Sequence, residues 1–248
     1  MKKFILEGLR LKKINMVNSL EEIYKIREIL SDKDKALIKK AYNFAKKAHK
    51  GKMKGKKPFF EHPAKVGYLL AKWKQNSEAI SAGLLHDVVE DTPIKLSEIR
   101  NKFGEKIAFY VDGMSWYKKK FRGKWVEDHE GLHKRTIEYT KQDPVLVIIR
   151  AADMFRDAPK DRKKFVNSLK EKGIWIDFQK MINERFRGFW IPFFKELGLK
   201  EVAKKIEAKS NVVKKKKIKI TLYNYISKKD LKVIKIKIGK IKGLEELR

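Results

Sequence analysis

The sequence predicts an all-α protein, a helical bundle that is followed by a basic C-terminal appendage of β-hairpin type. Apolar residues recur at helical spacing through most of the 248 residues. Candidate capping residues bracket these periodic segments, as expected for helices of ordinary length. The pattern changes only in the last 39 residues, 210–248, where polar and apolar residues alternate with the period of a strand.

Length and charge define the organisation that we expect. The chain suits one large domain with appendages: a lead and a helix over 1–30, a helical domain over 31–209 and a basic tail over 210–248. The formal net charge of +31 favours polyanionic partners such as nucleic acids, nucleotides or an anionic membrane surface. No apolar run has membrane-spanning or signal-peptide length, so we expect a cytoplasmic protein without a transmembrane segment.

The first helices follow from caps and periodicity. An amphipathic helix is predicted over 19–30, and Ser31-Asp32 begins a second one that runs to about residue 49. A basic loop with two glycines, residues 51–58, comes next. Pro63 is then expected in the first turn of a helix that ends near residue 73, which places His62 at a helix start.

The central helix is predicted over residues 77–90, with Ser77 as its N-cap. Thr92-Pro93 ends it, because a residue before proline is driven out of the helical conformation. Another helix is expected over 96–103, where Gly104 stops it, and helical spacing resumes over 105–111. Residues 161–209 are also helical by pattern.

The end of the central helix carries the densest group of ligand-type side chains in the chain: His86, Asp87, Glu90 and Asp91. On a helix, His86 shares a face with Glu90, and the two aspartates share a neighbouring face. The interleaved residues are apolar and predict a buried helix, in which unpartnered carboxylates would be costly. A divalent cation is the simplest partner. The alternative is a solvated acidic face, with His86 bonded to a backbone carbonyl.

Any metal in this chain must be held by His, Asp and Glu, because there is no cysteine. Imidazole together with carboxylate suits zinc, manganese or iron better than calcium. A second histidine-containing motif, His129-Glu130-Gly131-Leu132-His133, has the H-E-x-x-H spacing of zinc metalloproteases. Its flanks are charged and Gly131 weakens a helix interior, so we interpret this segment as part of an exposed helix instead.

Several segments resemble the hydrolase domain of the RelA/SpoT alarmone family. They read AHKGKMKGKKPFFEHP, LLHDVVEDT, KFGEKIAFYVDGMSW and WIPFFKELGL, and the resemblance covers about residues 31–205. The stretch from His86 to Thr92 is the most specific part. The resemblance implies an HD-domain helical bundle. The segment RAADMFRD, at the end of a predicted helix that begins at Asp143-Pro144, is similar to the family's K-L-A-D-R-L-H-N.

The resemblance also implies a metal site and a reaction. It makes His62, His86, Asp87 and Asp153 the ligands of Mn²⁺, with another divalent transition metal left open. Glu90 would orient the attacking water and Asp91 would support it. The reaction would remove pyrophosphate from the 3′ position of ppGpp or pppGpp and leave GDP or GTP.

The residues expected to bind substrate depart from the family pattern. Lys52 and Lys54 would neutralise phosphates, and Lys54 stands where the family has an arginine that contacts the base. Asp157 replaces an asparagine that contacts the nucleotide. The expected partner is therefore a guanosine polyphosphate or another phosphorylated nucleotide. An HD hydrolase of NADPH or of a nucleoside phosphate, and a non-catalytic nucleotide- or RNA-binding protein, are the alternatives.

The basic tail predicts either a hairpin that docks on the helical domain or a binding appendage. Lys217-Ile218-Lys219-Ile220 and Lys235-Ile236-Lys237-Ile238 have the strand period, and Ser227 to Asp230 could form a turn between them. RNA or a membrane could be the partner of such a tail. RNA contact is therefore left open by the sequence.

Overall fold

A computed structural model gives the fold for residues 19–27, 30–54, 57–121, 124–155, 162–173, 175–211, 213 and 220–248. Helices make up most of this part, and its strands form two short antiparallel pairs. The all-α prediction is confirmed. The chain divides after Val111 into two compact units. No helix in the described segments has both the length and the apolar character needed to cross a bilayer.

The first unit is built from short helices and one strand pair. Its elements are α1 (Ser19–Ile26), α2 (Asp32–Ala48), β1 (Met53–Lys54), β2 (Lys57–Pro58), α3 (Glu61–Lys72), α4 (Ser77–Leu85), α5 (Val88–Asp91) and α6 (Leu96–Phe103). The helix α7 (Glu105–Met114) carries the chain across the division. Gly104 has φ 86° and ends α6 as predicted, because glycine adopts this left-handed conformation without a steric penalty.

Helix α4 is the centre of the first unit. It packs against both α2 and α3, and α1 covers α3. Apart from Glu78, every residue of α4 is buried. Asn76 caps the helix by accepting a hydrogen bond from the amide of Ala79 at 2.9 Å, so the prediction of Ser77 as the N-cap was wrong by one position. Burial of a whole helix fixes the position of the residues that follow its end.

The second unit contains a β-hairpin and a layer of helices. Its elements are β3 (Lys118–Phe121), β4 (Lys124–Glu127), α8 (His129–Gln142), α9 (Val145–Met154), α10 (Arg162–Glu171), α11 (Trp175–Lys180), a π-helix (Met181–Trp190), α12 (Ile191–Glu196), α13 (Lys200–Ser210), a 3₁₀ turn (Leu222–Asn224), α14 (Lys228–Gly239) and a second 3₁₀ turn (Glu245–Leu247). The π-helix packs against α11, α12 and α13, and α9 packs against α8.

The predicted hairpin tail was wrong in its second half. Lys235 to Ile238 lie in α14, and Ser227 is the N-cap that accepts a hydrogen bond from the amide of Asp230 at 3.0 Å. The helix buries Leu231, Ile234 and Ile238, and this spacing satisfies a helical core better than it satisfies a strand. The first half of the predicted hairpin, residues 217–219, lies outside the described residues.

The start of α2 yields a stability prediction. The Ser31 hydroxyl accepts a hydrogen bond from the Asp34 amide at 3.2 Å, and Asp34 in turn accepts from the backbone of Ser31 and from the hydroxyl of Ser77 in α4. The Ser31 hydroxyl also donates to the Asp34 carboxylate at 2.6 Å, and this bond, followed by the one from Ser77, holds the pKa of Asp34 below its usual range. We expect Ser31→Ala to lower the free energy of unfolding by about 1 kcal/mol at neutral pH, the usual cost of losing a cap.

Urea unfolding followed by circular dichroism measures this effect. A folded-state pKa that is depressed contributes stability above the unfolded value, and that contribution is lost as the pH falls through the folded value. The difference between Ser31→Ala and the native chain should therefore shrink in acid. Ser97→Ala, the same change at an exposed position within α6, serves as the control and should leave stability nearly unchanged. An equal loss in both variants would contradict the cap.

Candidate metal centre

Three ligand-type side chains converge in the first unit. His62, His86 and Asp87 each offer one ligand atom, and these atoms all lie within 4.8 Å of one another. One carboxylate oxygen of Asp87 is 3.0 Å from Nε2 of His86, and the other is 3.8 Å from Nε2 of His62. His86 is buried, while the side chains of the other two residues are each 14% exposed. The cluster is therefore largely sheltered, with a small part of His62 and Asp87 accessible to solvent.

The turn between α4 and α5 brings the adjacent residues His86 and Asp87 to the same site. Helix α4 ends at Leu85 and α5 begins at Val88, so His86 and Asp87 form the turn between them. The prediction of one continuous helix over residues 77–90 was wrong here. Successive residues of an unbroken helix diverge by about 100°, whereas the turn lets both side chains approach His62. His62 lies in the first turn of α3, as its following proline predicts.

A backbone hydrogen bond selects one tautomer of the neutral form of the buried histidine. Nδ1 of His86 donates to the carbonyl oxygen of Gly83 at 2.8 Å. A neutral imidazole bonded in this way carries its lone pair on Nε2, the nitrogen that lies near Asp87. Metal-binding histidines commonly have such a bond on their other nitrogen, because it fixes the ring orientation. The donor set of two imidazoles and one carboxylate therefore fits a divalent transition metal.

The two carboxylates that were predicted to take part in catalysis follow shortly after the turn in the sequence. Glu90 and Asp91 lie in α5 and are half-buried. The hydroxyl of Thr92 donates to the carbonyl of Val88 at 2.7 Å and accepts from the amide of Ile94 at 3.2 Å. Thr92 thus closes the last turn of α5. The predicted roles of Glu90 and Asp91 in catalysis remain predictions.

Asp153, the fourth predicted ligand, belongs to the second unit. It lies near the C-terminal end of α9, where its carboxylate is half-buried and 3.1 Å from Nη1 of Arg150. Arg150 is buried and also donates to the backbone oxygen of Met114 at 2.5 Å. This charge-assisted contact orients the carboxylate of Asp153. Its role as a metal ligand remains a prediction.

The residues predicted to bind substrate are described only in part. Lys52 is exposed and immediately precedes the β1–β2 pair. Lys57, on the other strand of that pair, forms an ion pair with Glu61 at 2.9 Å. The side chain of Lys54 and the whole of Asp157 lie outside the described residues.

His49, just before the basic loop, has structural contacts: it is buried, donates to the carbonyl of Ala45 at 2.8 Å and stacks on Phe59.

The Asp112-Gly113 part of the motif KFGEKIAFYVDGMSW has a packing role in the second unit. Asp112 accepts hydrogen bonds from the hydroxyls of Tyr117, at 2.6 Å, and of Tyr139. Burial first, and then the bond to Asp112, raise the pKa of Tyr117. A Cβ atom at Gly113 would lie 2.7 Å from the ring of Tyr139, so only glycine fits there. No pattern in the sequence predicted these tyrosine contacts.

In the described part of the H-E-x-x-H motif, His133 packs into an aromatic cluster. His133 is buried and stacks on Phe189 with 3.8 Å between ring centroids, so the prediction of an exposed segment was wrong at this position. Trp190 and Tyr225 contact the same ring edge-on.

Glu130, the acidic residue of the motif, forms an ion pair with Lys134 at 2.8 Å. His133 and Glu130 also line a cavity of about 680 Å³ between α8, α11 and the π-helix.

The cluster of His62, His86 and Asp87 lies within a segment that matches a known domain family. Residues 41–155 match the family model described as HD domain. A guanosine-3′,5′-bis(diphosphate) 3′-pyrophosphohydrolase of Aquifex aeolicus is 29% identical over 175 residues, which cover 68% of this chain and 23% of that protein. A protein of the same name from Spiroplasma citri is 30% identical over 182 residues, covering 71% and 23%.

The bifunctional (p)ppGpp synthase/hydrolase SpoT of Escherichia coli is also similar. It is 36% identical over 118 residues, which cover 47% of this chain and 17% of that protein. The chain thus spans less than a quarter of the length of these three curated relatives.

Proposed function

This chain carries an HD domain of the RelA/SpoT hydrolase family, and on that premise we propose that it removes the 3′-pyrophosphate from ppGpp or pppGpp. The products are GDP or GTP and pyrophosphate. The observation that carries the proposal is the convergence of His62, His86 and Asp87 within a domain whose relatives are named for this reaction. The match covers the segment that holds all three residues.

The proposed metal is Mn²⁺, held by His62, His86, Asp87 and Asp153. Two imidazoles and two carboxylates suit manganese, although other divalent transition metals accept the same ligands. When bound, such an ion polarises a phosphate oxygen and lowers the pKa of water. The hydrogen bond from His86 to Gly83 supports this assignment, since it leaves Nε2 as the ligand atom.

In this proposal, Glu90 transfers the proton and Asp91 supports it. Glu90 lies one turn after Asp87 and accepts a proton from the water that attacks the 3′-phosphate. The bond between that phosphorus atom and the ribose 3′ oxygen breaks, and the oxygen leaves as a hydroxyl with the proton that Glu90 passes to it. Asp91 holds Glu90 or a ligand in place. The half-burial of both residues supports these roles, because a proton acceptor must be sheltered and still reach its water.

The substrate side of the proposal rests on the basic loop. Lys52 and Lys54 neutralise the phosphates, and the field of a chain with net charge +31 draws a polyanionic nucleotide towards the protein. Asp157 accepts a hydrogen bond from a ribose hydroxyl. Lys54 and Asp157 both differ from the family pattern. These two differences favour, as the second candidate, the hydrolysis of another phosphorylated nucleotide at the same metal centre.

Pyrophosphate release from ppGpp tests the proposed function. The protein is stripped with a chelator, supplied with Mn²⁺ and assayed beside the stripped sample, with bound metal measured in both. We expect release that requires Mn²⁺, with GDP as the second product. Metal binding without release would overturn ppGpp as the substrate and favour the second candidate. A failure to bind metal would overturn the enzyme itself.

A further inference from the structure

Helix α14 exposes two apolar side chains on the face opposite to its core. Leu231, Ile234 and Ile238 are buried and hold the helix against α12 and α8. Val233 and Ile236 are 47% and 54% exposed. These two residues are three positions apart and therefore adjacent on the helix surface. They form an outward apolar pair that contributes little to the packing of the second unit.

Lysines surround this pair on the helix surface. Lys229 and Lys237 lie one turn from Val233 on either side, whereas Lys232 and Lys240 lie one turn from Ile236. All four are exposed. Lys237 also donates to the backbone oxygen of Lys141 at 3.0 Å, which fixes its position beside α8.

The segment 228–242 as a whole is strongly basic. It contains seven lysines and one acidic residue, Asp230, and so has a net charge of +6.

We propose that the outer face of α14, formed by the apolar pair and by Lys229, Lys232 and Lys240, binds the surface of an anionic lipid bilayer. A helix that lies in the membrane interface uses cations for the headgroups and apolar side chains for the acyl boundary. Lysine suits this position because its long aliphatic stem lies along an apolar surface while the ammonium reaches the phosphates. Each lysine near an anionic leaflet strengthens the attraction.

RNA is a poorer fit for the same face. Proteins that bind single-stranded nucleic acid stack bases on aromatic side chains and track the phosphates with a cationic groove. Here the centre of the lysine ring holds valine and isoleucine, which offer neither stacking nor hydrogen bonds. The contact with lipid is shallow and depends on charge, so it requires no membrane-spanning helix. The proposal is independent of the metal centre and of the reaction proposed for it.

Co-sedimentation of the full chain with lipid vesicles tests the proposal. We expect binding to vesicles of equimolar phosphatidylcholine and phosphatidylglycerol that weakens with added salt, and no binding to phosphatidylcholine alone. The double variant Val233→Ser with Ile236→Ser should bind at least about tenfold more weakly, because the apolar part of the contact is lost. The double variant Lys232→Glu with Lys240→Glu should abolish binding.

The matched control is Ile176→Ser, which makes the same change at an isoleucine of α11 that is 76% exposed. This variant should bind the anionic vesicles as tightly as the native chain. Equal binding by the Val233/Ile236 double variant would overturn the apolar contact. A native chain that does not bind the anionic vesicles would overturn the lipid proposal. Polyuridylate binding that is lost in the Lys232→Glu, Lys240→Glu variant, together with no binding to vesicles, would assign the face to RNA instead.

Discussion

Asp87→Asn should remove both the bound metal and the hydrolysis of ppGpp. Asparagine keeps the shape of the side chain but lacks the negative charge that a divalent cation requires from this position. Asp87 is also the residue whose two oxygens lie nearest to both histidines, at 3.0 and 3.8 Å. We expect metal affinity and pyrophosphate release to fall by more than about a hundredfold, the upper range for groups that only orient a ligand.

The experiment measures retained Mn²⁺ after dialysis and pyrophosphate release on the same samples. Asp32→Asn is the control, because the Asp32 side chain is fully exposed and its ion pair with Lys35 is long, at 3.9 Å. This variant should keep native metal content and native release. If Asp87→Asn kept its metal and its turnover, the cluster would not be the reaction centre. If it kept metal but lost turnover, Asp87 would serve the reaction without serving as a necessary ligand.

The sequence predicted α2, α3 and α6 of the first unit well because each has a local signal at one of its ends. Ser31 caps α2, Pro63 lies in the first turn of α3 and Gly104 ends α6, as expected from propensity alone. The interruption at His86 and Asp87 had no such signal. The apolar spacing continues through Leu85 and Val88, and neither glycine nor proline marks the turn. Tertiary packing around α4 decides where that helix ends.

The tail illustrates an ambiguity of apolar periodicity. The alternation of lysines with Ile234, Ile236 and Ile238 has the period of a strand. The spacing of Leu231, Ile234 and Ile238 is also that of a helix. The second pattern accounts for the observed burial, and within α14 it leaves Val233 and Ile236 exposed. The failed strand prediction and the exposed apolar pair thus have the same origin.

The prediction that His133 is exposed was wrong because its aromatic partners come from distant segments of the second unit.

Gly83→Ala should destabilise the first unit and disturb the metal centre from a distance. A Cβ atom at Gly83 would overlap the end of the Leu70 side chain and lie 3.1 Å from Val66, both on α3. Leu70 is completely buried, so it has little space into which to move. The reciprocal contact is equally tight, because a Cβ atom at Gly67 would lie 2.7 Å from Leu84. Overpacking of this kind costs about 1–3 kcal/mol.

The measurements are the free energy of unfolding in urea and the affinity for Mn²⁺. Gly239→Ala is the control: it lies at the end of α14 with nothing within 4 Å of a new Cβ atom, and should be neutral or stabilising by up to about 1 kcal/mol. A Gly83→Ala variant as stable as the native chain would contradict the close approach of α3 and α4.

A double variant separates the steric cause from other causes. Leu70→Ala alone removes a large buried side chain and should cost about 2–5 kcal/mol. In the Gly83→Ala background the same truncation also relieves the overlap, so its cost should be smaller by more than about 0.5 kcal/mol, a coupling expected of residues in contact. The carbonyl of Gly83 accepts the hydrogen bond that orients His86, so relief of the overlap should restore Mn²⁺ affinity as well. Recovery of both properties together would tie the packing of α3 against α4 to the geometry of the metal centre.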